Sequence, residues 1–373
     1  MTGPSIYFLV PFALENNMKS RLLALAAALG LATTLSAQPA LADIAVGYVY
    51  VGAKTDGGYN EAQNAGRLYV QKDVPGVKTN FLENVPENAQ VTQAMERMIG
   101  AGDKIIFATS YGYLSYALEL AKKYPKVTFM HCYGDKRAAN LGTYSAETYE
   151  AMYLAGIAAG KATKTGKIGF VAAHPIPPVL QNINALALGA QSVNPKATVT
   201  VVYTGSWNDP AKDVASVNAL VDQGVDVVAS HVDSPIPVIE AAKKRGIKVV
   251  GYHFNDMKFD PQGWLTGVVE NWGPVMADVV KQVEAGTWKS EAIHGNLKSG
   301  TTQLAPFGPS VEAATRTLIE AKKKEIEDGK LHVWAGPIEA QDGTVLAAKG
   351  QSLSPDKIAS MDFFVKGVIG NTK

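Results

Sequence analysis

Tyr59, Asn60, Ser110, Tyr111, Trp207, Asp233, His253 and Asp256 lie in short loops that follow apolar runs, and Glu150, Asn182 and Glu270 lie near others. Their chemistry is that of non-covalent recognition. Flat aromatic faces stack on planar heterocycles, each stack being worth roughly 1 to 3 kcal/mol by analogy with nucleobase stacking. Carboxylates and amides meet the amino and N–H edges of such a ring. A phosphate or carboxylate ligand would call instead for guanidinium or ammonium groups, or a glycine-rich turn at a helix N-terminus. These loops hold a single cation, Lys54. A planar, uncharged ring is therefore the expected ligand.

Covalent and metal chemistry find no matching pattern. The chain has no G-x-S-x-G elbow, no P-loop and no H-E-x-x-H pair. Its six histidines (His131, His174, His231, His253, His294, His332) show no metal-ligand spacing, and most read as ordinary strand-end or surface residues. Cys132 is the only cysteine, which rules out an intrachain disulfide and a thiolate cluster. No catalytic residue, metal or cofactor is expected.

The elements that must position these side chains come as a duplication. Gly47, Val49, Asn60, Val77, Gly102, Lys122, Lys126, Val127 and His131 are matched by Gly169, Val171, Asn182, Val199, Gly224, Lys244, Lys248, Val249 and His253 at a constant offset (169 − 47 = 253 − 131 = 122) with no net insertion. Strands are predicted over 44–51, 77–82, 104–109 and 127–131, with helices over 60–70, 88–100 and 113–123 between them. The series restarts with strands over 168–172, 198–204, 225–230 and 248–252 and helices over 179–192, 211–223 and 237–245. Such alternation predicts an α/β fold of two similar doubly wound lobes, each with a parallel sheet, and a ligand cleft between them. In such sheets ligands lie beyond the carboxyl ends of the strands, and that rule singles out the loops above. The expected division is 43–163 with part of 273–305 for one lobe, and 164–272 with part of 306–373 for the other. Crossovers are expected near 162–166, 267–274 and 302–309, and a helix over 311–328 with a turn at Gly343-Thr344 follows the duplication.

Asp56-Gly57-Gly58-Tyr59-Asn60, the segment 105–112, Tyr149-Glu150-Ala151-Met152-Tyr153-Leu154-Ala155-Gly156, Gly205-Ser206-Trp207-Asn208-Asp209 and Leu265-Thr266-Gly267 together resemble the basic membrane protein family. The resemblance runs from about Ile44 to beyond Val280. It implies the type I periplasmic binding protein architecture and a substrate-binding protein of an ABC importer, several members of which bind purine nucleosides. By the same resemblance Tyr59 and Trp207 fall where the family covers the two faces of a base, and Asn60 follows as in the family pattern. Two positions depart from it. Nucleoside binders carry an Asp where this chain has His253 and a Lys where it has Glu270, and those residues hold ribose hydroxyls. A free purine base therefore fits better than a nucleoside, and adenine, with its exocyclic amine and ring N–H, is the favoured ligand. Glu150, Asp233 and Glu270 are the first candidates to meet that edge. A purine nucleoside carrier, a periplasmic ligand sensor and a nucleoside hydrolase are the alternatives.

The N-terminus bears on location. Met18 opens a basic segment (Lys19, Arg21), an apolar run over 22–35 and Ala40-Leu41-Ala42, the form of a cleavable export signal, so 1–42 reads as an upstream extension and signal peptide. Removing it leaves 35 − 2 = 33 basic and 34 − 1 = 33 acidic side chains. That neutrality, with no basic run longer than Lys322, Lys323 and Lys324, argues against a nucleic-acid partner. No cysteine stands at the cleavage point to carry a lipid. A periplasmic monomer without a lipid anchor is expected, with a small-molecule ligand and an ABC permease as partners.

Overall fold

Apolar strand runs, each followed by a helix with one buried face, build two lobes on the same plan in the computed structural model, which describes residues 44–372. The leader expected over 1–42 lies outside the described residues. The first lobe contains β1 (Ala45–Val49), α1 (Tyr59–Asp73), β2 (Lys78–Leu82), α2 (Gln90–Ala101), β3 (Ile105–Ala108), α3 (Leu114–Lys123), β4 (Thr128–Cys132) and β5 (Leu141–Ala146). The chain then passes through α4 (Thr148–Ala162), β6 (Lys167–Ala172), α5 (Pro177–Val193), β7 (Thr198–Tyr203), α6 (Pro210–Asp222), β8 (Val227–His231), α7 (Ile236–Arg245), β9 (Lys248–Gly251) and β10 (Trp264–Glu270). It ends with α8 (Gly273–Glu284), β11 (Ala292–Gly295), β12 (Thr302–Leu304), α9 (Ala313–Glu327), a hairpin of β13 (Ile338–Glu339) and β14 (Val345–Ala347), α10 (Pro355–Ala359) and β15 (Val368–Ile369).

The first sheet runs β11-β5-β4-β3-β1-β2 with every pairing parallel. The second runs β12-β10-β9-β8-β6-β7-β15, and only β12 is antiparallel to its neighbour. Strand order reverses at β1 and at β6, so both lobes direct a switch-point crevice toward the same kind of loops. Separate apolar clusters cover the faces of each sheet.

The duplication is real but not ungapped. Val46 pairs with Ile105 and Ile168 with Val227, an offset of 122 in both strands (168 − 46 = 227 − 105). The shared glycine of these strands has one cause in both lobes: a Cβ on Gly47 would lie 2.7 Å from Met98 Sδ of α2, and one on Gly169 2.9 Å from Leu220 Cδ1 of α6. The flanking strands slip by two residues. Gly47 pairs with Asn80 but Gly169 with Thr200 (200 − 80 = 120), and Ile105 pairs with Thr128 but Val227 with Lys248 (248 − 128 = 120). The identities at 77/199, 126/248, 127/249 and 131/253 are therefore not structural partners. The partner of His253 is Tyr133 (253 − 133 = 120), and both have left-handed backbone, φ 67° and 59°.

Three crossovers join the lobes, at Glu147, at 271–272 and at 296–301. The first corrects the expected boundary. Helix α4 packs on α5 and β10, and Ala151, Met152, Leu154, Ala155 and Ile157 lie in the second lobe's core, so the crossing precedes this helix. Helix α8 packs on α1 and leads into β11 at the edge of the first sheet. From β12 onward the chain returns to the second lobe, where α9 packs on α4 and β15 extends the sheet beside β7. Among the described residues no helix is long and apolar enough to cross a membrane.

Candidate functional site

The strand-end loops of the two lobes face one another across a narrow cleft, about 410 Å³ when the open solvent at its mouth is included. Tyr59, Ser110, Tyr111 and Tyr133 line it from the first lobe. Ile176, Pro178, Trp207, His231, Asp233 and His253 line it from the second. The lobes touch directly: Tyr59 N–H donates to the Asp233 carbonyl at 2.8 Å, and Ser234 Oγ donates to the Asp56 carbonyl at 2.6 Å. This is a closed arrangement.

A network of side-chain to backbone bonds shapes the first-lobe wall. Asp56 Oδ1 accepts from the N–H groups of Gly58 (2.9 Å) and Glu61 (3.0 Å), while Oδ2 accepts from Asn60 N–H (3.1 Å) and Asn60 Nδ2 (2.7 Å). Asn60 Oδ1 in turn accepts from Gly52 N–H at 3.2 Å. Asn60 is thus a buried brace for the loop that presents Tyr59, whose hydroxyl donates to the Thr109 carbonyl. Glu87 Oε1 accepts from the Ser110 hydroxyl and from Gly112 N–H, both at 2.6 Å, which holds the turn carrying Tyr111. Lys54 is engaged by Glu83 at 3.4 Å. No Lys or Arg lines the cleft among the described residues.

The second-lobe wall carries His231, Asp233 and His253 as polar side chains. Trp207 stands edge-on to His174, ring centroids 5.1 Å apart, and its carbonyl accepts from Asp233 N–H at 2.8 Å. The Asp233 side chain, buried in the cleft wall, has no hydrogen-bond partner among the described residues. Burial, reinforced by Asp56, Glu87, Glu270 and Asp213, pushes its carboxyl well above the usual carboxylate range. Burial likewise holds the His231 imidazole well below its ordinary pKa, with His253 adding to the effect, so it is neutral at physiological pH. Its Nδ1 lies 3.0 Å from Asn182 Nδ2. Behind His253, the Glu270 carboxylate receives the Tyr133 hydroxyl at 2.6 Å on Oε1 and lies 2.8 Å from His253 Nδ1 through Oε2.

Of the residues singled out by sequence, the structure brings Tyr59, Ser110, Tyr111, Trp207, Asp233 and His253 together around the cleft. Asn60, Asn182 and Glu270 stand behind them as supports. Asp256 is fully buried with both carboxylate oxygens unpartnered. Burial raises it to about 7, Lys258 opposing and Glu61 and Asp56 reinforcing the rise. Glu150 is elsewhere, a correction to its expected role. It lies in the first turn of α4, accepts from Leu297 N–H at 2.8 Å and opens onto a different cleft with Glu147 and Trp334. Its carboxyl belongs to the β11–β12 crossover, not to the ligand cleft. Sequence reasoning passed over Tyr133 and His231 as site residues, although both fall in strand-end loops. The position of those loops is the signal the sequence offers for both.

The family description "ABC transporter substrate-binding protein PnrA-like" (Bmp) matches residues 44–331. A purine-binding protein of Brucella abortus (strain 2308) is 40% identical over 324 residues, covering 87% of this chain and 92% of that one. A putative ABC transporter glucose-binding protein of Haloferax volcanii, TsgA13, is 33% identical over 324 residues, 87% of this chain and 80% of the other. Among solved structures, an ABC transporter solute-binding protein of Aeropyrum pernix K1 superposes with a TM-score of 0.68 at 18% identity, over 85% of this chain and 96% of that one, a likeness of fold.

Proposed function

The chain belongs to the PnrA-like (Bmp) family of ABC transporter substrate-binding proteins, and from that premise we propose that it captures a free purine base, adenine above others, by closing its lobes and delivers it to an ABC permease. It is a substrate-binding protein and not an enzyme. The observation that carries the reading is that His231 and Asp233 both line a cation-free cleft walled by Tyr59, Tyr111 and Trp207. The rings supply stacking faces; the buried imidazole and carboxyl read the ring edge. A relative named for purine binding at 40% identity supports it.

A base suits this cleft better than a nucleoside. His253 and Glu270 stand at the two positions where the family resemblance puts ribose-binding side chains; they are bonded to each other, and Glu270 also accepts from Tyr133. Both Glu270 oxygens are already occupied. On this reading the protein works in the periplasm as a monomer.

The test is a thermal-shift and calorimetry panel of adenine, guanine, hypoxanthine, adenosine, inosine, cytosine and glucose, since a ligand that binds only the folded state raises its stability by mass action. Adenine is expected to give the largest shift. Trp207→Ala is expected to weaken adenine binding by roughly 1 to 3 kcal/mol, about 5- to 150-fold. A glucose or nucleoside response above that of every base refutes the reading.

A further inference from the structure

Both oxygens of Glu270 are engaged: the Tyr133 hydroxyl donates to Oε1 at 2.6 Å, and His253 Nδ1 lies 2.8 Å from Oε2. A carboxylate can only accept, and an imidazole is the stronger base of the two by about two pK units. The proton between them is therefore on Nδ1, and in the neutral ring Nε2 is left as a bare lone pair. That nitrogen is buried and has no hydrogen-bond partner among the described residues, although its ring lines the cleft. The imidazole stands edge-on to Tyr59, ring centroids 5.1 Å apart and planes at 69°. A base stacked on Tyr59 would thus meet the imidazole at its rim and not on its face. A buried acceptor left unmet is costly, and a ligand that brings a donor to it recovers that cost.

Given the reading of the cleft as a purine-base site, on which this rests, we infer that His253 Nε2 accepts the N9–H of the free base and so selects a base over its nucleoside. A free purine has a single N–H in its five-membered ring. In a nucleoside the sugar takes the place of that hydrogen, and nothing remains there to donate. The two polar groups of the second lobe then read opposite ends of the base. Asp233, whose carboxyl burial pushes well above the usual range, can hold its proton and offer a donor beside an acceptor. That pair matches the amino group of adenine beside N1. His253 offers one lone pair, which matches one N–H at the other end. A nucleoside would leave that nitrogen stranded, and a mismatch that strands buried polar groups discriminates far more strongly than a change of shape. Glu270 takes no part in the contact itself; it keeps the proton on the far nitrogen of the ring.

Two analogues of the same size as adenine test this on the wild-type protein. 7-Deazaadenine keeps N9–H, whereas 9-deazaadenine has carbon at position 9 and its ring N–H at position 7. Calorimetry is expected to find 9-deazaadenine bound roughly tenfold or more weakly than 7-deazaadenine, and adenosine weaker than adenine by a similar factor. In the ¹⁵N-labelled protein at pH 8, long-range ¹H–¹⁵N correlations of His253, assigned by their loss in His253→Phe, are expected to show a protonated Nδ1 and a bare Nε2. The Nε2 resonance is expected to move upfield when adenine is added, as a nitrogen does on accepting a hydrogen bond. 9-Deazaadenine binding as tightly as 7-deazaadenine overturns the inference, and needs no variant to fold. So does a ligand-free protein with the proton on Nε2, or an Nε2 resonance that adenine leaves in place. A wild type that binds no purine at all removes the underlying reading of the cleft, whereas one that binds adenine and both analogues alike keeps that reading and removes only the role of His253.

Discussion

Replacing Gly58 by alanine isolates lobe closure from folding. Gly58 stands where the Tyr59 loop meets the second lobe, and an added Cβ there would overlap the Asp233 carbonyl oxygen and lie 2.5 Å from Pro235 Cδ. Ordinary Cβ contact begins near 3.4 Å, so closure in the variant stops at least about 1 Å short (3.4 − 2.5 = 0.9). At that separation the bond from Tyr59 N–H to the Asp233 carbonyl and the bond from Ser234 Oγ to the Asp56 carbonyl are both lost or strained. At about 0.5 to 1.5 kcal/mol net per bond, two bonds correspond to about 1 to 3 kcal/mol, roughly a 5- to 150-fold rise in Kd. Both clashing partners belong to the other lobe, so a ligand-free protein relieves the strain by opening. Its melting temperature without ligand is therefore expected to stay within about 2 °C of wild type. Calorimetry with the best base from the panel measures the first quantity and a ligand-free melt the second. Gly58→Ala binding as tightly as wild type would refute closure through this contact. A large loss of ligand-free stability would show that the lobes cannot part there.

Two further substitutions probe the carboxylates. Glu150→Gln is expected to leave purine affinity within twofold of wild type, because its side chain serves the Leu297 amide in a different cleft; a tenfold loss would return Glu150 to the ligand site. Asp213, buried on α6 with both oxygens unpartnered, is raised to about 7 by burial and by Asp209. An unfolded aspartate titrates near 3.9, so between about pH 4 and 7 the folded chain holds a proton that the unfolded chain has lost. Stability from this group is thus present below pH 4, falls as pH rises through that window and stays lost above it. Asp213→Asn cannot ionise, so its melting temperature is expected to match wild type at pH 4 and exceed it by a few °C at pH 8. An equal difference at both pH values would remove the protonation argument.

Much of the architecture was legible because it is written as pattern. Alternating apolar runs and amphipathic helices identify the sheets, and the strand-end rule turns that order into a short set of loops, from which the cleft draws Tyr59, Tyr111, Trp207, Asp233 and His253. Other features leave no pattern. Helix α4 is apolar almost all round, and a helix without a polar face does not announce which lobe it joins. The two-residue slips of the duplication cancel: the offset is 122 at β1 and β3 but 120 at β2 and β4, so a constant spacing hides them. A carboxylate in the first turn of a helix, like Glu150, looks the same whether it faces a ligand or caps a crossover. The contact of His231 with an amide 49 residues away in sequence is one that no local motif encodes.

Correcting the register changes what the duplication explains. With Tyr133, not His131, as the counterpart of His253, the two lobes present equivalent strand-end residues in the same left-handed backbone. Such a conformation is disfavoured for residues with a side chain by roughly 1 kcal/mol or more, and it persists where the surroundings over-determine it. Here both side chains leave their strands toward the axis between the lobes and meet on one carboxylate, Glu270, at 2.6 and 2.8 Å. Glu270 is the last residue of β10, immediately before the crossover at 271–272. The carboxylate that joins the two copies therefore sits at the end of the strand that leads into a crossover between lobes, and its bond to Tyr133 links the first lobe to the second. Bonded to each other, His253 and Glu270 serve the junction between lobes, and that is the ground for the proposal of a smaller, sugar-free ligand.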